Sequence, residues 1–161
     1  MRKFVVIIIV IIGLNSCESP TQFSEASYQE TFLNWNEEEV TFKEIINQYN
    51  GQKVLIDVWA SWCKDCIVGL PNLKKLQNEY PDVVYLFFSL DKTPKKWKLG
   101  VERFQIEGEH YFMQEEKKGE LGEFLNLWWI PRYVVVNEQG DISLFKATKI
   151  TDKKIVEALK K

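Results

Sequence analysis

The sequence predicts one α/β domain in which a central mixed β-sheet is flanked by helices, and three observations carry that prediction. Two nearly all-apolar runs, "KVLIDVWA" (Lys53–Ala60) and "VVYLFFSL" (Val83–Leu90), have the composition of strands covered on both faces. Between them, "CIVGLPNLKKLQNEY" (Cys66–Tyr80) spaces its apolar residues as a helix does, so the three make a right-handed βαβ unit with parallel strands. Further on, "RYVVVNEQGDISLFKA" (Arg132–Ala147) reads as a hairpin turning at Asn137–Gly140, which adds antiparallel strands at one edge. A chain of 161 residues suits a single domain with a short appendage.

The elements follow in order. Met1-Arg2-Lys3 is a short basic region, and Phe4–Leu14 is an apolar stretch too short to span a bilayer comfortably. Polar sequence follows at once, as it does after a secretory signal peptide, here expected over residues 1–16. The tetrad "LNSC" (Leu14–Cys17) resembles a bacterial lipobox, in which the cysteine is lipidated and becomes the first mature residue. A plain signal peptide or an uncleaved anchor is the alternative. Residues 17–30, polar and patternless from Glu18 to Glu30, are expected to be a tether, with the folded domain over 31–161. Thr31–Trp35 and Glu39–Phe42 look like short strands around the acidic turn "NEEE". Phe42–Tyr49 has the spacing of a short helix stopped by Asn50-Gly51. The Cys66–Tyr80 helix is expected to be interrupted by Gly69 and Pro71 and ended by Pro81. Beyond it come a helix over Trp97–Ile106, an extended segment over Glu109–Gln114 and a helix over Gly119–Trp128. Thr151-Asp152 can cap a last helix, "KKIVEALKK".

A formal charge of −2, with no long block of like charges, points away from nucleic acid. The informative stretch is "DVWASWCKDC", Asp57–Cys66. A CxxC can be half a zinc site, a structural staple or a redox centre. A structural zinc site wants four Cys or His ligands, and beyond the pair this chain has only Cys17 and His110 to offer. A structural disulfide over so small a loop gains little chain entropy. With Cys17 acylated, Cys63 and Cys66 remain as a pair. Asp57, inside the apolar run, is expensive to bury charged, so it either lies at a strand end or titrates high.

"VLIDVWASWCKDC", Pro71 five residues beyond Cys66, and "IPRYVVVNEQGDI" together resemble the thioredoxin fold. The nearest likeness is to the exported, membrane-tethered TlpA/ResA-type thiol–disulfide oxidoreductases, a group of thioredoxin-like lipoproteins. It runs from about Thr31 to the C-terminus and includes an N-terminal β-hairpin and a central insertion around Asp91–Lys118. The departures are Lys64-Asp65, where Gly-Pro is commonest, and Trp128, Trp129 and Arg132 around the proline, where smaller residues are usual.

The resemblance implies roles. Cys63, where strand gives way to helix, would be the exposed attacking thiol, and Cys66, one turn later, the resolving one. Lys64 favours the Cys63 thiolate and Asp65 opposes it. Asp57 matches a buried aspartate that resembles a general base for the resolving cysteine. Pro131 would be cis and face the cysteine pair, with Trp62 on the rim and Trp129 and Ile130 lining a substrate groove. Trp59 is expected in the core; Glu115, Glu116, Glu123 and His110 are expected to be ordinary solvated or packed side chains. No cofactor beyond the redox-active Cys63–Cys66 disulfide is implied, and no metal. The implied place is the bacterial cell envelope, lipid-anchored and facing the extracytoplasmic or periplasmic space. The implied substrate is a disulfide in an exported protein such as apocytochrome c, reduced at the expense of a membrane electron donor. A monomer is expected. The alternatives are a non-catalytic partner-binding module on the same fold and a disulfide-forming oxidant.

Overall fold

From residue 19 to 161, the span that the computed structural model describes, the elements run in this order: α1 (Glu25–Gln29), β1 (Thr31–Leu33), β2 (Glu39–Thr41), α2 (Phe42–Asn47), β3 (Val54–Trp59), α3 (Lys64–Glu79), β4 (Val84–Ser89), α4 (Pro94–Phe104), β5 (Glu109–Phe112), a 3-10 turn (Glu116–Lys118), α5 (Glu120–Phe124), β6 (Arg132–Val136), β7 (Ile142–Ala147) and α6 (Lys153–Lys160). The expected signal peptide and lipidation site, Cys17 included, lie outside the described residues.

One mixed sheet holds all seven strands in the order β2-β1-β5-β4-β3-β6-β7. β3, β4 and β5 are parallel, β6 and β7 return antiparallel at one side, and the β1–β2 hairpin extends the sheet by pairing Leu33 with Phe112. Every residue of β3 is buried, as its unbroken apolar run requires of a strand covered on both faces. Period-2 alternation sends Leu55, Asp57 and Trp59 to one face, in register with Tyr85, Phe87 and Ser89 of β4. α3 and α4 cover that face: the Tyr85 hydroxyl donates to Leu76 O at 3.2 Å, and Gly100 lets α4 close on Trp59 and Ser61. On the other face Phe88 meets Phe42 of α2 and Phe32 of β1, with ring centroids 5.8 and 5.1 Å apart.

Caps set the helix starts. Thr41 and Glu44 form a reciprocal capping box on α2, Thr93 caps α4 with Pro94 in its first turn, and Asp152 caps α6. The Thr93 cap moves the start of α4 to Pro94, ahead of the apolar period that predicts Trp97. α3 runs through Gly69 and Pro71 without a break. α5 is shorter than its period suggests: it ends at Phe124, and Asn126 turns left-handed at φ 53°.

The tether expected over 17–30 is corrected from about Thr21 onward. Phe23 is buried edge-on against Phe42, with centroids 4.8 Å apart, and α1 is capped by Ser24. The Ile142 N–H donates to Thr21 O at 2.7 Å, and the Ser27 hydroxyl to Glu120 O at 3.2 Å. Glu30 Oε2 accepts the Leu121 N–H at 2.5 Å, serving as an N-terminal cap that α5 lacks locally. Burying one phenylalanine contributes about 2–3 kcal/mol, enough to hold a short arm that shows no hydrophobic period of its own.

Candidate active site

After β3 the backbone turns through Ala60–Trp62, and Cys63 N–H closes the turn onto Ala60 O at 3.0 Å. Cys63 is the N-cap of α3: its Sγ accepts the Cys66 N–H at 3.2 Å, and its carbonyl accepts from Ile67 N at 3.1 Å. Cys63 and Cys66 are joined in a disulfide with Cα atoms 5.3 Å apart. Free amides of a first helical turn aimed at a sulfur favour its thiolate once the bond opens. Cys66 has no such place, so the helix start separates the two sulfurs chemically. Exposure does not, and here the expectation of an exposed Cys63 is corrected: Cys63 is 6% and Cys66 4% exposed. The Cys63 sulfur is bonded to Cys66 on one side and lies 3.7 Å from Ile130 O on another.

That Ile130 carbonyl belongs to a cis Ile130–Pro131 bond immediately ahead of β6. Arg132 anchors the segment leading into it. Buried, it donates from its guanidinium to Leu125 O, left open where α5 ends, and, at 3.2 Å, to Asn126 O, which also accepts the Trp128 N–H. Burial holds its pKa below the usual arginine range. A groove of about 380 Å3 lies alongside, lined by Val68, Gly69, Trp129, Pro131, Tyr133 and Ile150. Trp62 and Trp129 stand exposed near the disulfide, at 60% and 61%, with Trp128 at 82%. Trp59 is in the core, as expected.

Asp57 is 3% exposed, opposite Tyr133 on β6 and beside Phe87 on β4, with Oδ1 lacking a hydrogen-bond partner. It is not a solvated strand-end residue. Burial pushes its pKa well above the usual carboxylate range, and burial together with the Asp57 charge raises that of the Tyr133 hydroxyl. A raised pKa lets a buried carboxyl hold and pass on a proton at higher pH than an exposed one does. His110 stacks on Phe87 with centroids 5.0 Å apart, and burial pushes its pKa down to about 4. Phe87 stands between it and Asp57 in the sheet, so it takes no part in the site. Glu115 and Glu123 are exposed, and Glu116 pairs with Lys92 at 3.0 Å. Among the described residues no three His, Cys, Asp or Glu side chains gather as a metal site would require.

Sequence reasoning missed three contributors. Tyr133 looks like one more apolar residue of β6, and Arg132 was only an oddity beside the proline. Asp91, fully buried, hydrogen-bonds Ser61 in the turn before Cys63. Its one signal is a carboxylate directly after the apolar run of β4.

Known proteins share this arrangement. The thioredoxin-like family matches residues 50–142. The thioredoxin-like protein YneN of Bacillus subtilis is 28% identical over 121 residues, which is 73% of this chain and 69% of that one. The thiol:disulfide interchange protein DsbE of Haemophilus influenzae is 28% identical over 112 residues, 68% of this chain and 59% of its own length. A solution structure from Bacteroides vulgatus, described as a thiol-disulfide oxidoreductase, superposes with a TM-score of 0.66 at 27% identity, covering 80% of this chain and 82% of that one. The chain therefore belongs to the thioredoxin-like family and is a thiol–disulfide oxidoreductase.

Proposed function

We propose that this protein is a lipid-anchored reductase on the extracytoplasmic side of a bacterial membrane, and that it reduces disulfides in exported proteins such as apocytochrome c. The observation that carries the reading is the Cys63–Cys66 disulfide at the first turn of α3, set against the cis Ile130–Pro131 bond with a groove beside it. In the reduced protein the Cys63 thiolate attacks one sulfur of the substrate disulfide. A mixed disulfide forms and one substrate thiolate leaves. Asp57 takes the Cys66 proton, and the Cys66 thiolate attacks the Cys63 sulfur, expelling the second substrate thiolate. Two electrons pass to the substrate, its two thiolates take up protons, and Cys63–Cys66 closes as the disulfide. A membrane donor of two electrons then reopens it. The backbone beside Pro131 pairs with an extended substrate segment, and Trp62, Trp129 and Ile130 border that segment.

The names of the relatives, a thiol:disulfide interchange protein and a ResA among them, support this reading, as does the basic, apolar, "LNSC" start. Because the folded body begins at about Thr21, the link back to Cys17 reaches about 14 Å at most and would hold the domain against the lipid surface. Ile130 before the proline resembles reducing thioredoxins more than oxidising ones.

The test is a Cys66→Ser variant expressed in cells. It should accumulate mixed disulfides through Cys63 in the membrane fraction, a companion Cys17→Ser change should free them from that fraction, and Cys63→Ser should trap few. Equilibration of the wild type with glutathione buffers gives the direction. A potential below about −220 mV supports a reductase, and one near −120 mV overturns it in favour of an oxidant. No trapped partner at all, with a normal potential, would favour a non-catalytic module.

A further inference from the structure

We propose that Asp91 is a positioning residue for thiol–disulfide exchange: its buried carboxylate fixes the Ala60–Trp62 turn and so holds Cys63 in place against Ile130. The inference rests on Cys63 being the attacking thiol.

Asp91 lies two residues past the end of β4 and is fully buried. Its Oδ2 accepts the Ser61 N–H at 3.0 Å and the Ser89 hydroxyl at 2.9 Å, and its Oδ1 accepts the Ser61 hydroxyl at 2.6 Å. The Asp91 N–H donates back to the Ser89 hydroxyl at 3.0 Å. Leu90 N–H, next in the chain, bonds Trp59 O at 2.8 Å, so β3 and β4 stay paired up to the turn. α4 closes the remaining side, where a Cβ at Gly100 would fall 2.5 Å from the Ser61 Cβ. Burying a carboxylate is costly, and the usual compensation is a cation. Here the compensation is three donors, two of them from one residue placed two positions before Cys63. Two of the three hydrogen bonds this carboxylate accepts therefore fall on the approach to the sulfur.

Two effects on Cys63 follow. A shift of about 1 Å at a reacting atom can cost on the order of a hundredfold in rate, so loosening Ser61 slows exchange. The negative charge also opposes the Cys63 thiolate, so removing it makes the dithiol form easier to reach. Lys64, Asp65 and Asp57 are the other charged or titratable groups on β3, the turn and the first turn of α3, and the variants leave them untouched.

The full chain in detergent is purified as wild type, Ser61→Ala and Asp91→Asn. Measured are the exchange rate of the reduced protein with oxidised glutathione, the pH midpoint of Cys63 alkylation, and the equilibrium with glutathione buffers. Asp91→Asn should lower the alkylation midpoint and shift the equilibrium about tenfold toward the dithiol, roughly 30 mV. Ser61→Ala, which deletes one hydroxyl and keeps the backbone bond, should slow exchange about tenfold with the midpoint little changed. A merely structural Asp91 would move neither midpoint nor potential. Asp91→Asn protein matching the wild type in both overturns the proposal, as does folded Ser61→Ala exchanging at the wild-type rate. If Asp91→Asn does not fold, the Ser61→Ala rate decides alone. Exchange by the wild type is the control: its absence would fault the assignment of Cys63 itself and leave Asp91 without a role to play.

Discussion

Asp57→Asn separates the two things a buried carboxyl does in this fold, destabilising it and moving a proton. Asp57 has Phe87 on one side in register and Tyr133 on the other, and one of its oxygens has no partner. Burial raises its pKa, so the folded chain binds this proton more tightly than the unfolded chain does. Its contribution to stability is thus greatest below the unfolded value of about 3.9 and is lost as pH rises through the folded titration. Each pH unit between the two titrations removes about 1.4 kcal/mol, and above the folded titration the loss is constant. Asparagine cannot ionise, so the variant lacks this slope. His110, held down at about 4 by burial, contributes the opposite slope, stability lost as pH falls from about 6.5, but it is present in both proteins and cancels in their difference. Urea unfolding of the oxidised proteins at pH 4, 6 and 8 should give similar stabilities at pH 4 and a growing advantage for Asp57→Asn above it. In the reduced proteins the same change should slow resolution of a mixed disulfide. A stability difference that stays flat from pH 4 to 8 would refute the raised titration, and unchanged resolution would refute the proton-transfer role.

The other predictions concern packing in and behind the site. Gly69→Ala should stabilise α3 by about 1 kcal/mol, because a Cβ there meets Ile150 and the Tyr133 hydroxyl at an unstrained 3.6 Å; a calorimetric scan checks this. The added methyl narrows the groove, so exchange with a protein disulfide should slow while exchange with glutathione does not. Gly100→Ala makes the same helical gain but drives a Cβ to 2.5 Å from Ser61, and should destabilise by about 1–3 kcal/mol in the same scan. Arg132→Met should cost about 1–3 kcal/mol by leaving Leu125 O without a donor and Asn126 O with only the Trp128 N–H, and should speed hydrogen exchange at Trp128 and Trp129.

The β3–α3–β4 unit was legible because a strand buried on both faces has to be apolar at every position, and few other structures impose that. Cys63 and Cys66 were legible through spacing, and Asp57 because it is the one carboxylate in the β3 run. The N-terminal arm was not, since its hold on the body is two aromatics, Phe23 and Tyr28, against Phe42, plus polar contacts to residues about a hundred positions away. The end of α5 failed for a related reason. Leu127 keeps the helical period, yet Arg132 draws off the carbonyls that another turn would have used. Asp91 and Arg132 escaped notice because their partners are mostly backbone groups and serines, which carry no pattern.

These two residues bear on the direction of the reaction. Asp91 holds the cysteine side of the site and Arg132 the proline side, and each is held by hydrogen bonds rather than by an opposite charge, the buried Arg132 Nε alone lacking a partner. The potential of the pair depends on how strongly the Cys63 thiolate is stabilised. Thioredoxin-like potentials span about −270 to −120 mV, roughly 7 kcal/mol for two electrons. The amides at the start of α3 push toward the oxidising end by stabilising the thiolate. A carboxylate at Asp91 pushes back, and so does Asp57 whenever it is ionised. Opposition of only about 1.4 kcal/mol from either is worth some 30 mV. On the proposed reading as a reductase, the Asp91 charge offsets part of the pull of the helix start, and Asp91→Asn should move the pair toward the oxidising end.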